Sequence, residues 1–579
     1  MAQKSKPRTP RKSSYHGFEG VNLIKTHSGD ESISLIDNLR ITDDGSLKKR
    51  CGFKKIYENK VNVSSASVSY SREENGEEVC YFTQGYYVKR YNSSTQTVTN
   101  IGRIRDDSVN IFFFEYINSL YICDGEELYL IKDNALYITN FYIPLYGKEW
   151  SNFGGEMNEA PNLLHPKIAI SYKLTSNPAS YLYLNELTVK SVDAVYRNGV
   201  PVAKDTYHID TVYNAIAVSE FEEGDLFFVI LTISPDNNYT NQKNALFNST
   251  HATLFPEISN NNIFFWGSDF SNSVFYSASI NEENAKITDK YATNTRFYIP
   301  VNSYFSVGSD TDRVKSLIRH YDRVLIMTDS STWITNLQDL ESNSLKLKNI
   351  NASIGCTVKN GCVRIENTIF SIGKDAIYAW SNDTDELNEC NAHSISEPIK
   401  DLLNKDFFKS ALIHLNYGKR EIWFYSPSQA KTWIYNYACK AWYSFSGFTP
   451  TAFLEGGDEV RFLEELALYV FSPELNADIR DDNEVEIIAR LKSGELEFNS
   501  EQKKKLSSAT VRGAFSGGAL TLNVLLDGRT KIVYSITPSK SHSVIPFRTK
   551  SGSFRALSFE LVASGKAEQI IHGIELNAD

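Results

Sequence analysis

No apolar run in this sequence approaches the ~20 residues that a membrane-spanning helix requires. The longest, around Leu226–Ile233, is far too short. The N-terminus lacks the apolar core of a signal peptide, so secretion by the usual route is not expected. Positive charge is in deficit: 60 Lys and Arg stand against 70 Asp and Glu, a formal net charge of −10. A general nucleic-acid wrapper is usually basic, which argues against that class. It does not argue against DNA passing through a channel whose acidic wall repels phosphate. The seven cysteines (Cys51, Cys80, Cys123, Cys356, Cys362, Cys390, Cys439) are odd in number and lack CxxC spacing. Most lie inside apolar runs as small hydrophobes, as in a protein made in a reducing cytosol.

Catalytic signatures are missing as well. There is no GxxxxGK[ST] phosphate loop, no HExxH and no GxSxG elbow. The ten histidines are scattered, and His320, His414 and His572 read as structural or exposed rather than as metal ligands. Acidic residues are plentiful, so a glycosidase pair stays open, but abundance is not a signal. Thr328-Asp329-Ser330-Ser331-Thr332-Trp333 approaches a sialidase Asp box without its glycine. Trp333, Trp380, Trp423, Trp433 and Trp442 therefore read as core rather than as a carbohydrate platform. We expect no enzyme, no cofactor and no metal. The Lys503-Lys504-Lys505 run reads as a solvated face.

Methionine is scarce, at 3, while Tyr and Phe number 33 each, which favours strands over helices. One unit recurs: an aromatic-rich strand, a polar turn, then a second strand carrying Tyr or Trp. It reads Val79–Phe82 then Tyr86–Val88, Leu120–Cys123 then Leu128–Leu130, and Val324–Met327 then Thr332–Ile334. It returns as Ile369–Ile372 then Ile377–Trp380, and as Ile422–Tyr425 then Trp433–Tyr435. Weaker copies lie at Ile263–Trp266 with Val274–Tyr276, and at Leu468–Phe471. A hairpin cannot hide its apolar face alone, so copies in series imply units that bury one another.

The expected fold is all-β: a β-propeller with an inserted small β-sandwich and a C-terminal antiparallel β-sandwich. Residues 1–19 read as a basic disordered arm, whose Lys4, Lys6, Arg8, Arg11 and Lys12 either only solubilise or dock on a partner or DNA phosphate. Residues 20–141 read as the first part of the propeller, 142–250 as the insertion, 251–482 as the second part, and 483–579 as the C-terminal sandwich. Asp44-Gly45, Asn198-Gly199 and Asp527-Gly528 are turn signals. The acidic stretch 476–484 reads as a linker.

Several segments in order resemble a known family. Asn38-Leu39-Arg40-Ile41 followed by Asp44-Gly45-Ser46-Leu47-Lys48-Lys49-Arg50-Cys51-Gly52-Phe53 is similar to the opening of the tail nozzle or hub proteins of short-tailed bacteriophages. This family includes the tail tubular protein B group and the P22-like packaged-DNA stabilisation proteins. Val274–Ala278, Ile354-Gly355-Cys356 with Phe370–Tyr378, and Trp433–Tyr437 with Ala441-Trp442-Tyr443 resemble its blades. Phe554-Arg555 through Phe559-Glu560-Leu561 to Ile574-Glu575-Leu576 resembles its closing sandwich. Asn38, Asp44, Gly45, Arg50 and Gly52 are the family-like entry residues. The resemblance implies a virion tail protein made in the bacterial host cytoplasm, a homo-hexameric ring below portal and adaptor proteins. Genomic DNA would pass through its lumen, and tail fibres or distal proteins would attach to it. It implies no catalytic residue. The rival readings are a host-surface receptor- or glycan-binding propeller and a glycan-degrading tail enzyme.

Overall fold

A computed structural model describes residues 11–24, 32–58, 68–105, 110–175, 180–219, 221–255, 262–293, 295–341, 345–380, 391–454, 459–481, 483–498, 502–538, 544–548 and 552–579. The chain is all-β and of the propeller class. It forms two compact units, residues 107–353 and residues 1–106 with 354–579. No helix among the described residues is long and apolar enough to cross a membrane.

Each aromatic repeat is the centre of a four-stranded antiparallel meander, or blade. In the 107–353 unit the blades span residues 112–138, 251–306 and 314–351. In the other unit they span 69–103, 362–394 and 412–446. The central strands are apolar on both faces because neighbouring blades cover them. Phe112 and Phe114 pack with Phe265 of the next blade, and Phe264 and Val274 pack with Val324 and Ile326 of the one after. A last blade has three sequential strands, Ala452–Leu454, Arg461–Glu464 and Ala467–Phe471. A strand from the start of the chain, Phe53–Glu58, completes it by pairing antiparallel with Ala467–Phe471.

The insertion is a two-sheet sandwich. Its five-stranded sheet runs Leu145–Trp150, Lys167–Lys173, Leu226–Ile233, Val189–Arg197, Val200–Pro201; its three-stranded sheet runs Tyr181–Tyr183, Ala215–Ala217, His208–Asp210. Trp150, Ile170, Tyr172, Leu182, Ile216 and Val229 fill the space between. The Asn198-Gly199 corner is a two-residue hairpin, Arg197 opposite Val200, with both central residues at positive φ as a type I′ turn requires.

The N-terminal residues depart from the expected partition. We label the first strands β1 (Arg11–His16), β2 (Ile33–Asp37), β3 (Leu39–Ile41), β4 (Leu47–Lys49) and β5 (Phe53–Glu58). β1, expected within a disordered arm, pairs residue by residue with Gln569–Ala578, because Tyr15 has an apolar pocket to fill against Phe559. β2 joins the blade strand Ala441–Ser446 to Ala489–Ser493, making one nine-stranded sheet that runs from the 412–446 blade into the C-terminal strands. β3 and β4 extend the opposing C-terminal sheet through Gln569–Ala578. Leu520, Leu522, Val524, Leu557, Phe559 and Leu561 face inward, as their alternation predicts. The stretch 476–484 is not a linker: Ala477–Arg480 and Asn483–Glu486 form a hairpin beside β5.

Candidate functional site

The entry residues converge. Asn38, between β2 and β3, takes φ +55°, a left-handed conformation that its short amide tolerates. Its carbonyl Oδ1 accepts from Arg50 Nε (2.8 Å) and from the backbone N–H of Ser446 (2.9 Å). Its Nδ2 donates to Ser446 Oγ (3.1 Å) and Ile488 O (2.9 Å). Arg50 follows β4 and is 2% exposed. Nη1 donates to Asp478 Oδ1 (2.8 Å) and Cys51 O (3.0 Å), Nη2 to Asp478 Oδ2 (2.7 Å) and Ser446 O (3.0 Å). With Nε on Asn38, all five guanidinium N–H groups have acceptors, which is what lets a buried arginine persist. Phe53, Phe448 and Phe471 present ring faces to the guanidinium carbon at 5.7, 5.8 and 5.8 Å.

Gly52 is required by space. A Cβ there would lie 1.8 Å from Ala477 O, while the Gly52 N–H donates to Leu475 O at 2.7 Å. The Arg50–Gly52 text thus grips the 472–480 segment by backbone and side chain together. Asp44 and Gly45 sit apart from this centre, in the loop joining β3 to β4. Thr42 and Ser46 hydroxyls and the Ser46 N–H donate to the Asp44 carboxylate and hold it below the usual carboxylate range. Gly45 O accepts from Phe18 N–H at 2.9 Å. Ser46 Oγ contacts His572 Nδ1 at 2.8 Å.

A second buried ion pair lies next along the chain. Arg40 Nε and Nη2 donate to the two oxygens of Glu421 at 2.5 and 3.1 Å, and Glu421 is fully buried. The Trp423 indole N–H (2.8 Å) and the Tyr443 hydroxyl also donate to Glu421. Lys49 is buried with Nζ on Gly565 O at 2.6 Å, and burial lowers its ammonium to about 8. Arg50 and Glu421 are satisfied by the protein's own partners. The contacts fasten β3, β4 and the residue after β4 to Glu421, Gly565 and Asp478.

Of the arm residues, Lys4, Lys6 and Arg8 lie outside the described residues. Arg11 is exposed on β1, and Lys12 pairs with Glu575 at 3.2 Å, which also takes Arg512 at 2.9 Å. The lysine run departs from a solvated face at its centre: Lys503 and Lys505 are exposed, but Lys504 is 3% exposed with Nζ on Glu497 O at 2.7 Å.

The near-Asp-box is a structural knot. Asp312 Oδ2 accepts from Thr328 (2.5 Å) and Ser331 (2.9 Å), Oδ1 from Ser330 N (3.0 Å), and Trp333 Nε1 donates to Ser331 Oγ at 2.9 Å. Trp380, Trp423, Trp433 and Trp442 are buried, and Trp333 is half-buried. Among the described residues no group of three or more His, Cys, Asp or Glu could hold a metal ion.

Asp478, Ser446 and Glu421 were not singled out by the sequence reading. The signal for Asp478 was Ala477-Asp478-Ile479, an acid flanked by apolar residues as in a strand, overlooked because the stretch around it is acidic.

No protein-family model and no curated protein matches the chain. Among solved structures, the AfRom2 CNH domain is similar at 6% identity and a TM-score of 0.35, covering 72% of this chain and 97% of that one. The RRP9 WD40 repeats are similar at 6% and 0.33, over 73% and 98%. An exo-β-1,3-galactanase from Phanerochaete chrysosporium is similar at 10% and 0.19, over 82% and 96%. Likeness at this level assigns no substrate, partner or activity.

Proposed function

We propose that this chain is a structural subunit of a phage tail nozzle or hub. Six copies form a ring on the DNA exit path, retain the packaged genome and attach other tail components. The observation that carries this reading is what the family-like entry residues do. Asn38, Arg50 and Gly52 are spent on a closed lock that binds the start of the chain to residues 446–488. A subunit that bears load in a pressurised particle needs that stiffness and needs no reactive centre. Closed cyclic symmetry gives the ring, and obligate interfaces above ~2,000 Å² would hold it. The net charge of −10 suits a lumen that lets DNA slide without sticking.

Native mass spectrometry tests the reading. The expected species is near six times 65.5 kDa, and low-resolution images should show a central pore wide enough for duplex DNA. A protein that stays monomeric across the micromolar range, or that turns over a host polysaccharide, overturns it.

A further inference from the structure

The three-stranded sheet of the insertion turns Leu182, Ile216 and Ile209 into the sandwich core and presents its other face outward. Strand alternation turns Leu182 and Ile216 inward and leaves Tyr181 and Tyr183 outward. Their cross-strand neighbours are Ala217 and Ala215, too small to cover a ring. Tyr183 stacks beside Phe153 with ring centroids 6.2 Å apart and planes 20° from parallel. Tyr181 lies 6.4 Å from Tyr183 and 5.1 Å from Tyr213. The result is a continuous strip in the order Phe153, Tyr183, Tyr181, Tyr213. Phe153 is 66% exposed and Tyr213 53%.

The strip is built rigidly. The Phe153 turn is tied to the strand by Tyr183 N to Asn152 O (3.0 Å) and by Asn185 Nδ2 to Gly155 O (2.5 Å). The Tyr213 turn is held by Asp210 Oδ1, which accepts from the N–H groups of Val212 (2.9 Å) and Tyr213 (3.2 Å). The same carboxylate lies against the Tyr181 hydroxyl and pushes its pKa up, after the effect of burial. Exposed rings normally cost solubility, so two exposed rings, Phe153 and Tyr213, joined through the half-buried Tyr183 and Tyr181 into one pre-ordered strip call for a ligand.

We propose that this strip is a binding site for a neutral, extended glycan. The rings step 5.1 to 6.4 Å apart, with planes turned by 20° to 48° from one to the next, which suits the C–H faces of successive pyranoses in a twisted chain. The tyrosine hydroxyls and the Asp210 carboxylate meet sugar hydroxyls at the edge. Charge favours neutral over anionic sugars: the Asp210 carboxylate in the Tyr213 turn accepts from hydroxyls and repels uronate or sialate. The proposal does not rest on the ring reading, since a lone subunit carries the strip as completely as an assembled one.

Affinity electrophoresis of the full chain tests it, in native gels containing dextran, laminarin or galactomannan, with polygalacturonate as the anionic comparison. The expected result is retardation in at least one neutral gel and none in polygalacturonate. Phe153→Ala and Tyr213→Ala should each weaken it about tenfold. Tyr213→Phe should keep it, as should Tyr417→Ala, an exposed ring outside the insertion. Both turn substitutions lie at exposed positions, and unchanged melting temperatures will show that they fold. Mobility unchanged in every neutral gel overturns the proposal. So does retardation that the Phe153 and Tyr213 variants share with the parent chain. Loss of self-association in Phe153→Ala, with no polysaccharide dependence, makes the strip a protein interface and also overturns it.

Discussion

Arg50 and Asp478 are 428 positions apart in sequence and form two parallel hydrogen bonds of 2.8 and 2.7 Å. Neither charge reaches water, so removing one strands the other. Arg50→Met or Asp478→Leu should each destabilise the surrounding unit by about 3–5 kcal/mol. The double variant should recover part of that loss, because the uncompensated charge is gone. Thermal melts followed by tryptophan fluorescence will read both, and two single losses that simply add would refute the coupling. His414 supplies a pH-dependent effect. It stacks on Phe453 at 5.0 Å and is 8% exposed, and burial lowers its imidazole from 6.5 to about 4. The unfolded chain takes up a proton near pH 6.5, whereas the fold resists until about 4. The unfolded state therefore binds more protons in that window, and stability falls as pH drops through it, by at most about 3 kcal/mol. His414→Phe should flatten this part of the stability curve, as measured by melting temperature from pH 7 to pH 4.

At the scale of elements, the hairpins were readable where turn chemistry was explicit. Asn198-Gly199 is one case. Elsewhere the same turn is made without glycine. Tyr116 pairs with Ser119 across Ile117 and Asn118, which stand at φ 47° and 56°. Asp133 and Asn134 do the same at 50° and 57° between Lys132 and Ala135. The hairpins follow from strand pairing on either side, which overrides a residue's local preference. Ile117 is a β-branched residue held in the left-handed region and 54% exposed, so its side chain returns little for the strain. Ile117→Asn should stabilise by about 1 kcal/mol. A melting temperature that stays level or falls would show that this isoleucine is held by something other than the turn.

At the scale of the molecule, the ends of the chain are woven together. β2 lies in the nine-stranded sheet between Ala441–Ser446 and Ala489–Ser493, and β4 pairs with Gln569–Ala578. β5 closes the blade made by residues 452–471. A chain ending at residue 482 keeps β1–β4 but loses Ala489–Ser493 beside β2 and Gln569–Ala578 beside β1 and β4, which strips cover from the buried Ile36, Leu39 and Leu47. We expect that fragment, and the fragment 483–579, to be insoluble separately and to recover when co-expressed. A monodisperse 1–482 fragment with native hydrogen-exchange protection in β2–β4 would contradict this weaving.

Composition and the strand-turn-strand repeat were enough to set the fold class, because blade strands covered on both faces must be written as short apolar runs. The inserted sandwich was marked by the break in that rhythm and by its type I′ turn. The entry residues stood out by resemblance, yet their task was not visible there. Arg50 meets Asp478, and Arg40 meets Glu421, only after the chain has returned from hundreds of residues away. The same holds for β1, whose basic text looks disordered until Gln569–Ala578 lies beside it. Local patterning reports which faces of a strand will be dry. Which distant segment dries them, and which buried charge then finds its partner, is decided by tertiary pairing, since the register between segments far apart in sequence leaves no local signature in either one.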